Sequence, residues 1–195
     1  DQADGWAWVQ ALRDGYVGYV AEADLSAAEG AATHIVSVPR TFLYPGPDLR
    51  FPRAGELSMG SLVAVIGAAD TRGTHYAQLP SGQAMISAHL LPIDSAAADY
   101  VSVAETLVHT PYLWGGASGF GIDCSGLVQL AMRMAGQTVQ RDSDMQAATI
   151  GQPLEIGPDL SGLQRGDLVF WKGHVAIMTD AANMIHANGH TMLVS

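Results

Sequence analysis

A single cysteine, Cys124, stands in a chain of 195 residues. That excludes an intrachain disulfide and a multi-cysteine zinc cluster. Positive charge is also scarce, with 9 Lys and Arg against 19 Asp and Glu, a formal net charge of −10. So few cations cannot form the basic stripe that offsets phosphates, and a nucleic-acid partner is excluded. The same acidity repels anionic lipid and anionic wall polymers, so charge attraction does not bring the protein to its target. Long apolar runs are missing as well. The longest, 62–69, falls far below the ~20 residues of a membrane-spanning helix. What remains is a globular composition, 48% hydrophobic, which excludes disorder. The length corresponds to roughly one to one and a half domains, enough for a substantial core.

Residues 1–25 read as strands. Trp6, Trp8 and the run Tyr16-Val17-Gly18-Tyr19-Val20 have β-rich chemistry, with Asp14-Gly15 as a hairpin turn between them. Two or three strands cannot bury a core alone, so this piece is the tail of a barrel begun upstream or an edge docked elsewhere. The chain starts at Asp1 without a methionine, which leaves its true beginning open. Residues 26–32 read as a linker. Five short strands are then expected at 34–38, 41–44, 61–66, 75–78 and 84–87, broken by Pro45-Gly46-Pro47 and Ser81-Gly82. That density suits a small antiparallel barrel. Trp8-Val9, Asp14-Gly15 and Leu25 are weakly echoed by Tyr76-Ala77, Ser81-Gly82 and Leu90, which implies two related barrels.

Composition changes near residue 95. Ser95 is expected to cap a helix running to about residue 107. After the glycine-rich stretch 115–121, a second helix is expected over about 124–135, with Leu127, Leu130, Ala131 and Met134 on one buried face. Strands at 167–171, 175–179 and 183–187 close the chain. Helices followed by strands indicate an α+β layer. The expected units are 1–28, 33–94 and 95–195.

Cys124 sits where the glycine-rich loop winds into a helix. Unpaired N–H groups and partial positive charge at a helix start favour thiolate over thiol. Free cysteine is also among the most buried residue types, so the same residue reads as a small core hydrophobe. A nucleophile needs a base. A hairpin with its tip near Asp180-Ala181 would put His174 opposite position 187, within one place of His186. Side chains alternate faces, so the register decides whether the two rings meet. A nucleophile, a base and an orienting group would then be present. His190 is a spare candidate for either histidine role. His186, His190 and Asp180 also allow a metal reading, but the intervening Asn188-Gly189 turn breaks the helical spacing that pairs histidines at i and i+4. No metal and no cofactor is called for.

Five stretches resemble the signatures of NlpC/P60 cysteine peptidases, in the family's order: Tyr112-Leu113-Trp114-Gly115-Gly116, Asp123-Cys124-Ser125-Gly126-Leu127, Gly166-Asp167-Leu168-Val169-Phe170, Gly173-His174-Val175-Ala176-Ile177 and Ile185-His186-Ala187. The resemblance covers about residues 96–195. It implies a papain-like fold with Cys124 as nucleophile, His174 as general base and His186 as third member. It also implies a peptidoglycan stem peptide as partner, cut between D-glutamate and a diamino acid. Gly15-Tyr16-Val17-Gly18-Tyr19-Val20 resembles bacterial SH3 (SH3b) domains. SH3b modules followed by this catalytic domain resemble γ-D-glutamyl-L-diamino acid endopeptidases, whose closed pocket takes the free amino end of L-Ala-γ-D-Glu. By that resemblance Tyr112, Asp123, Ser125 and Ser143 shape the pocket, and Glu22 is the nearest match to an acidic group from the first SH3b domain. By that resemblance the first barrel lacks its early strands, and the chain ends about a strand short of the family pattern.

Read on its own residues, Asp123 either favours an ammonium beside the reactive centre or caps a helix. Ser125 is equally a first-turn residue, and Tyr112 a packing residue whose hydroxyl needs a partner. Two other functions share these features. A papain-like acyltransferase or amidase needs a long apolar channel, which the polar stretch 141–144 opposes. A non-catalytic wall-recognition protein predicts a missing nucleophile or base, and both are present. Specificity for free stem peptide fits recycling inside the cell, while periplasmic or secreted action is equally in keeping with the family.

Overall fold

The computed structural model describes residues 2–27, 30–157 and 160–195. Positions 28 and 29 of the expected linker lie outside the described residues. The architecture is α+β, with helices α1 (Tyr100–Glu105), α2 (Cys124–Met134) and α3 (Ser143–Thr149) set among short antiparallel sheets. Among the described residues no helix is long and apolar enough to cross a membrane.

At the N-terminus, strands Gln2–Ala3, Trp6–Gln10 and Val17–Ala21 form one sheet, with Trp8 opposite Tyr19. The expected turn is present. Gly15 takes φ +73°, which a side chain would oppose, and its carbonyl accepts a hydrogen bond from the Gln10 amide. Residues 34–92 carry more strands than the sequence pattern indicates. Gly55–Ser58, Gly67–Thr71 and Leu90–Pro92 join the expected set. Gly67-Ala68-Ala69-Asp70-Thr71 has little intrinsic β preference. It is held extended by full pairing with Thr74–Gln78 across the Arg72-Gly73 turn, where both residues have positive φ. Val36, Val63, Ala77, Leu79, Met85 and Leu90 form the core of this region.

The region docks on the C-terminal half through one corner. Met59 packs into the C-terminal core cluster, and the Gly119 N–H donates to Ser58 Oγ at 2.8 Å. The backbones approach so closely there that a Cβ on Gly119 would lie 2.0 Å from the Pro39 carbonyl oxygen.

Helix α1 is shorter than expected and starts later. Its cap is Asp99, whose carboxylate accepts from the N–H groups of Val101 and Ser102. Ser95 instead bonds to the Pro92 carbonyl and Ala97 to the carbonyl of Met134, which ties 95–97 into a turn against the end of α2. Helix α2 has the expected start and length, but burial reaches well beyond one stripe. Every residue from Cys124 to Met132 is buried. An apolar helix of this kind is enclosed on all sides. Leu127, Val128, Leu130 and Ala131 share one cluster with Val175, Ile177, Ile185, Ala187 and Val194. Each fully buried aliphatic side chain there contributes ~1.5–3 kcal/mol. The sheet behind α2 comprises Leu168–Trp171, His174–Met178 and Met184–Ile185, and a last hairpin pairs Ala187–Asn188 with Leu193–Val194.

Candidate active site

Cys124 is the first residue of α2, and the extended Asp123 caps that helix by accepting from the Gly126 N–H at 2.7 Å. The thiol is buried, with the residue 8% exposed. Burial pushes its pKa up; the Val175 N–H pulls the other way, and the Asp123 charge adds to the rise. The thiolate expected from the helix start is therefore opposed by desolvation and favoured by the backbone N–H groups of Val175, Ser125 and Cys124. Its neighbour Val175 follows His174 in the central strand, so sheet and helix meet at this sulfur.

The hairpin behind the sulfur has a register one residue away from the expected one. Ile177 pairs with Ile185 and Met178 with Met184, which puts position 186 opposite 176 rather than 175. This one-residue difference places His174 and His186 on the same face. His174 Nε2 lies 2.7 Å from His186 Nδ1, with ring centroids 5.0 Å apart. Burial lowers the pKa of both rings, and the neighbouring His186 lowers His174 further. Trp171, paired with His174 across the Lys172-Gly173 turn, lies 5.6 Å from the His174 ring.

Arg141 ties the start of α2 together, a role its place in a polar stretch did not disclose. It donates to both carboxylate oxygens of Asp123, at 3.0 and 2.8 Å, to Ser125 Oγ at 2.9 Å and to the Gly116 carbonyl at 3.2 Å. Asp123 also accepts from the Gly115 N–H at 2.9 Å and the Ser125 hydroxyl at 3.3 Å. The carboxylate thus caps the helix and pairs with an internal cation at once. Asp142 precedes α3 without capping it by side chain, because its carboxylate accepts from the Tyr16 hydroxyl of the N-terminal hairpin at 3.0 Å. Ser143 opens α3 and is half-buried. Tyr112 packs on the core cluster near the sulfur, its hydroxyl pKa raised by burial and then by the charges of Cys124 and Asp123. Glu22 is exposed in the turn Glu22–Asp24, and its carboxylate makes no hydrogen bond or ion pair among the described residues.

The residues of the metal reading have other partners. The Asp180 carboxylate accepts from the N–H groups of Ala182 and Asn183, and His190 is held through its backbone N–H by Asn188. A cavity of about 330 Å³ lined by Met59, Leu91, Val103 and Met134 includes none of Cys124, His174 or His186.

Residues 109–195 match the model of the NlpC/P60 family, and residues 1–25 match the bacterial dipeptidyl-peptidase SH3 domain. A gamma-D-glutamyl-L-lysine dipeptidyl-peptidase of Bacillus cereus is 37% identical over 100 residues, covering 47% of this chain and 28% of that protein. One from Bacillus subtilis is 28% identical over 189 residues, covering 89% of this chain and 60% of that protein. The chain thus spans less than two thirds of the length of either relative. The crystal structure of an NlpC/P60 family protein from Bacillus cereus superimposes with a TM-score of 0.75 at 26% identity, over 100% of this chain and 71% of that one. On these matches and this geometry, residues 109–195 are an NlpC/P60 family domain, and residues 1–25 a bacterial dipeptidyl-peptidase SH3 segment.

Proposed function

We propose that the protein is a cysteine peptidase that cuts the γ-D-glutamyl–diamino acid bond of peptidoglycan stem peptides carrying a free N-terminal L-Ala. The observation that carries the reading is the imidazole pair at 2.7 Å, its His174 member on the strand that meets the thiol at the first turn of α2. Cys124 attacks the γ-glutamyl carbonyl, and the thiol proton passes to His174, oriented by His186. The backbone N–H of Cys124 holds the developing oxyanion. His174 then returns the proton to the leaving amine, and water releases L-Ala-D-Glu from the thioester. The names of the curated relatives support a γ-glutamyl bond as the target. Residues 1–28 and 33–94 act as accessory SH3b units to the 95–195 catalytic unit.

Tyr112, Asp123, Ser125 and Ser143 line the pocket for the L-Ala end in this reading. Two carboxylates, Asp123 and Asp142, stand against the single Arg141 guanidinium, which leaves one negative charge to receive an ammonium. Glu22, exposed and without a side-chain partner among the described residues, adds to that acidity where substrate reaches it.

The test is incubation of the reduced protein with L-Ala-γ-D-Glu-diaminopimelate and its lysine analogue, alongside N-acetylated versions of both. Release of L-Ala-D-Glu from the free peptides, abolished by Cys124→Ala and by N-acetylation, is expected. Product from the Cys124→Ala variant removes the mechanism. Equal rates on capped and uncapped peptides remove the amino-end specificity and leave the mechanism standing.

A further inference from the structure

We propose that Asn188 is a positioning residue that decides which nitrogen of each imidazole carries the proton. Asn188 is buried at the start of the last hairpin turn. Its Oδ1 accepts from the backbone N–H groups of His190 and Thr191, at 3.0 and 2.8 Å, and from the Thr191 hydroxyl at 3.1 Å. Backbone N–H groups only donate, so the amide is fixed in this orientation. Its Nδ2 is thereby aimed at His186 Nε2, 3.4 Å away, and at Ser195 Oγ, 3.1 Å away.

An amide NH₂ also only donates, so His186 Nε2 is an acceptor and the His186 proton sits on Nδ1. That proton lies on the 2.7 Å line to His174 Nε2, which must accept it. Neutral His174 then carries its own proton on Nδ1. Donation runs in one direction, from Asn188 through His186 to His174.

This polarity has a chemical consequence. An imidazolium at His174 bears protons on both nitrogens, and its Nε2–H would meet the Nδ1–H of His186. Forming it requires His186 to carry its proton on Nε2 instead, against the Asn188 amide. Asn188 therefore holds the unliganded pair neutral, and the thiol can pass its proton to His174 only when the polarity reverses. Apart from the rings themselves, no charged or titratable group among the described residues shifts either imidazole; Asp123 acts on Cys124 and Tyr112 instead. Lys172 lies in the turn beside His174, and His190 reaches Asn188 through its backbone alone.

The kinetic side of this inference rests on the proposed nucleophile and base; the tautomer does not, and it is read without substrate. Long-range ¹H–¹⁵N correlation on ¹⁵N-histidine-labelled protein at pH 7.5 is expected to show the Nδ1–H form for both His174 and His186. The Nε2–H form at His186 in the wild type overturns the inference, whatever the outcome of the peptide assay. Asn188→Asp keeps the Oδ1 bonds and offers an acceptor where the donor was. It is expected to move the His186 proton to Nε2 and to lower the midpoint of iodoacetamide alkylation of Cys124 by about one pH unit, a roughly tenfold faster reaction at pH 6. A reversed tautomer with an unchanged alkylation profile overturns the link to the sulfur. Should the variant fail to fold, the wild-type tautomers alone decide.

Discussion

Replacing Arg141 by leucine removes the guanidinium from a cluster in which it makes four hydrogen bonds, two of them to Asp123. Both side chains are nearly out of water, 11% and 12% exposed. Breaking a buried ion pair from one side costs about 3–5 kcal/mol, because the remaining charge stays desolvated. Asp123 keeps the Gly115 and Gly126 N–H groups and the Ser125 hydroxyl. The lower end, about 3 kcal/mol, therefore applies. Total stabilities are about 5–15 kcal/mol, so this loss is a large share of the whole. For a chain of this size it corresponds to a fall in Tm of roughly 6–12 °C. Thermal melts of wild type and variant measure it directly. The double variant Arg141→Leu with Asp123→Asn is expected to recover part of the loss, since no uncompensated carboxylate remains. A fall below about 2 °C, or strict additivity in the double variant, would refute the view of Arg141 as the partner that makes Asp123 tolerable beneath the sulfur.

Two further outcomes follow from the fold. Gly119→Ala forces a Cβ to 2.0 Å from the Pro39 carbonyl oxygen, and neither backbone has a flexible end to move. A loss of about 1–3 kcal/mol in urea unfolding is expected; an unchanged midpoint would mean that the 33–94 region is not seated on the glycine loop. The second outcome concerns acid. His89, His174 and His186 all have pKa values lowered in the folded state, chiefly by burial. A depressed folded pKa gives stability that is complete above the unfolded imidazole value, about 6.5, and is lost as pH falls through the folded value. The urea midpoint is thus expected to decline between pH 7 and pH 5, above the range where the lowered carboxyls of Asp99, Glu105 and Asp180 protonate. A midpoint that rises over that interval contradicts the burial of the three rings.

The sequence made α2 legible because its signals agree: a glycine-rich loop, a capping aspartate and an apolar repeat ending at Gly136. The histidine pair was legible only as a possibility. One residue of register separates a hairpin in which the rings share a face from one in which they do not, and strand composition does not set register that finely. Arg141 was hidden because its partners lie 16 to 25 positions away. A charged residue in a polar stretch reads as solvated until the fold brings Asp123 to it. The N-terminal contact of Asp142 with Tyr16 was hidden for the same reason, whereas Asn188 lies only two residues from the imidazole it meets. Asn188-Gly189 announced a turn, and nothing local announced that the amide would reach an imidazole. The strand Gly67–Thr71 owes its form to its neighbour rather than to its own residues.

The most direct test of the central claim is the mass of the covalent species. Protein quenched in acid during turnover of L-Ala-γ-D-Glu-diaminopimelate, then digested and weighed, is predicted to carry an L-Ala-D-Glu acyl group as a thioester on the peptide containing Cys124. Dipeptide release with no such adduct, or with the adduct on another residue, would contradict the assignment of Cys124 as the attacking group.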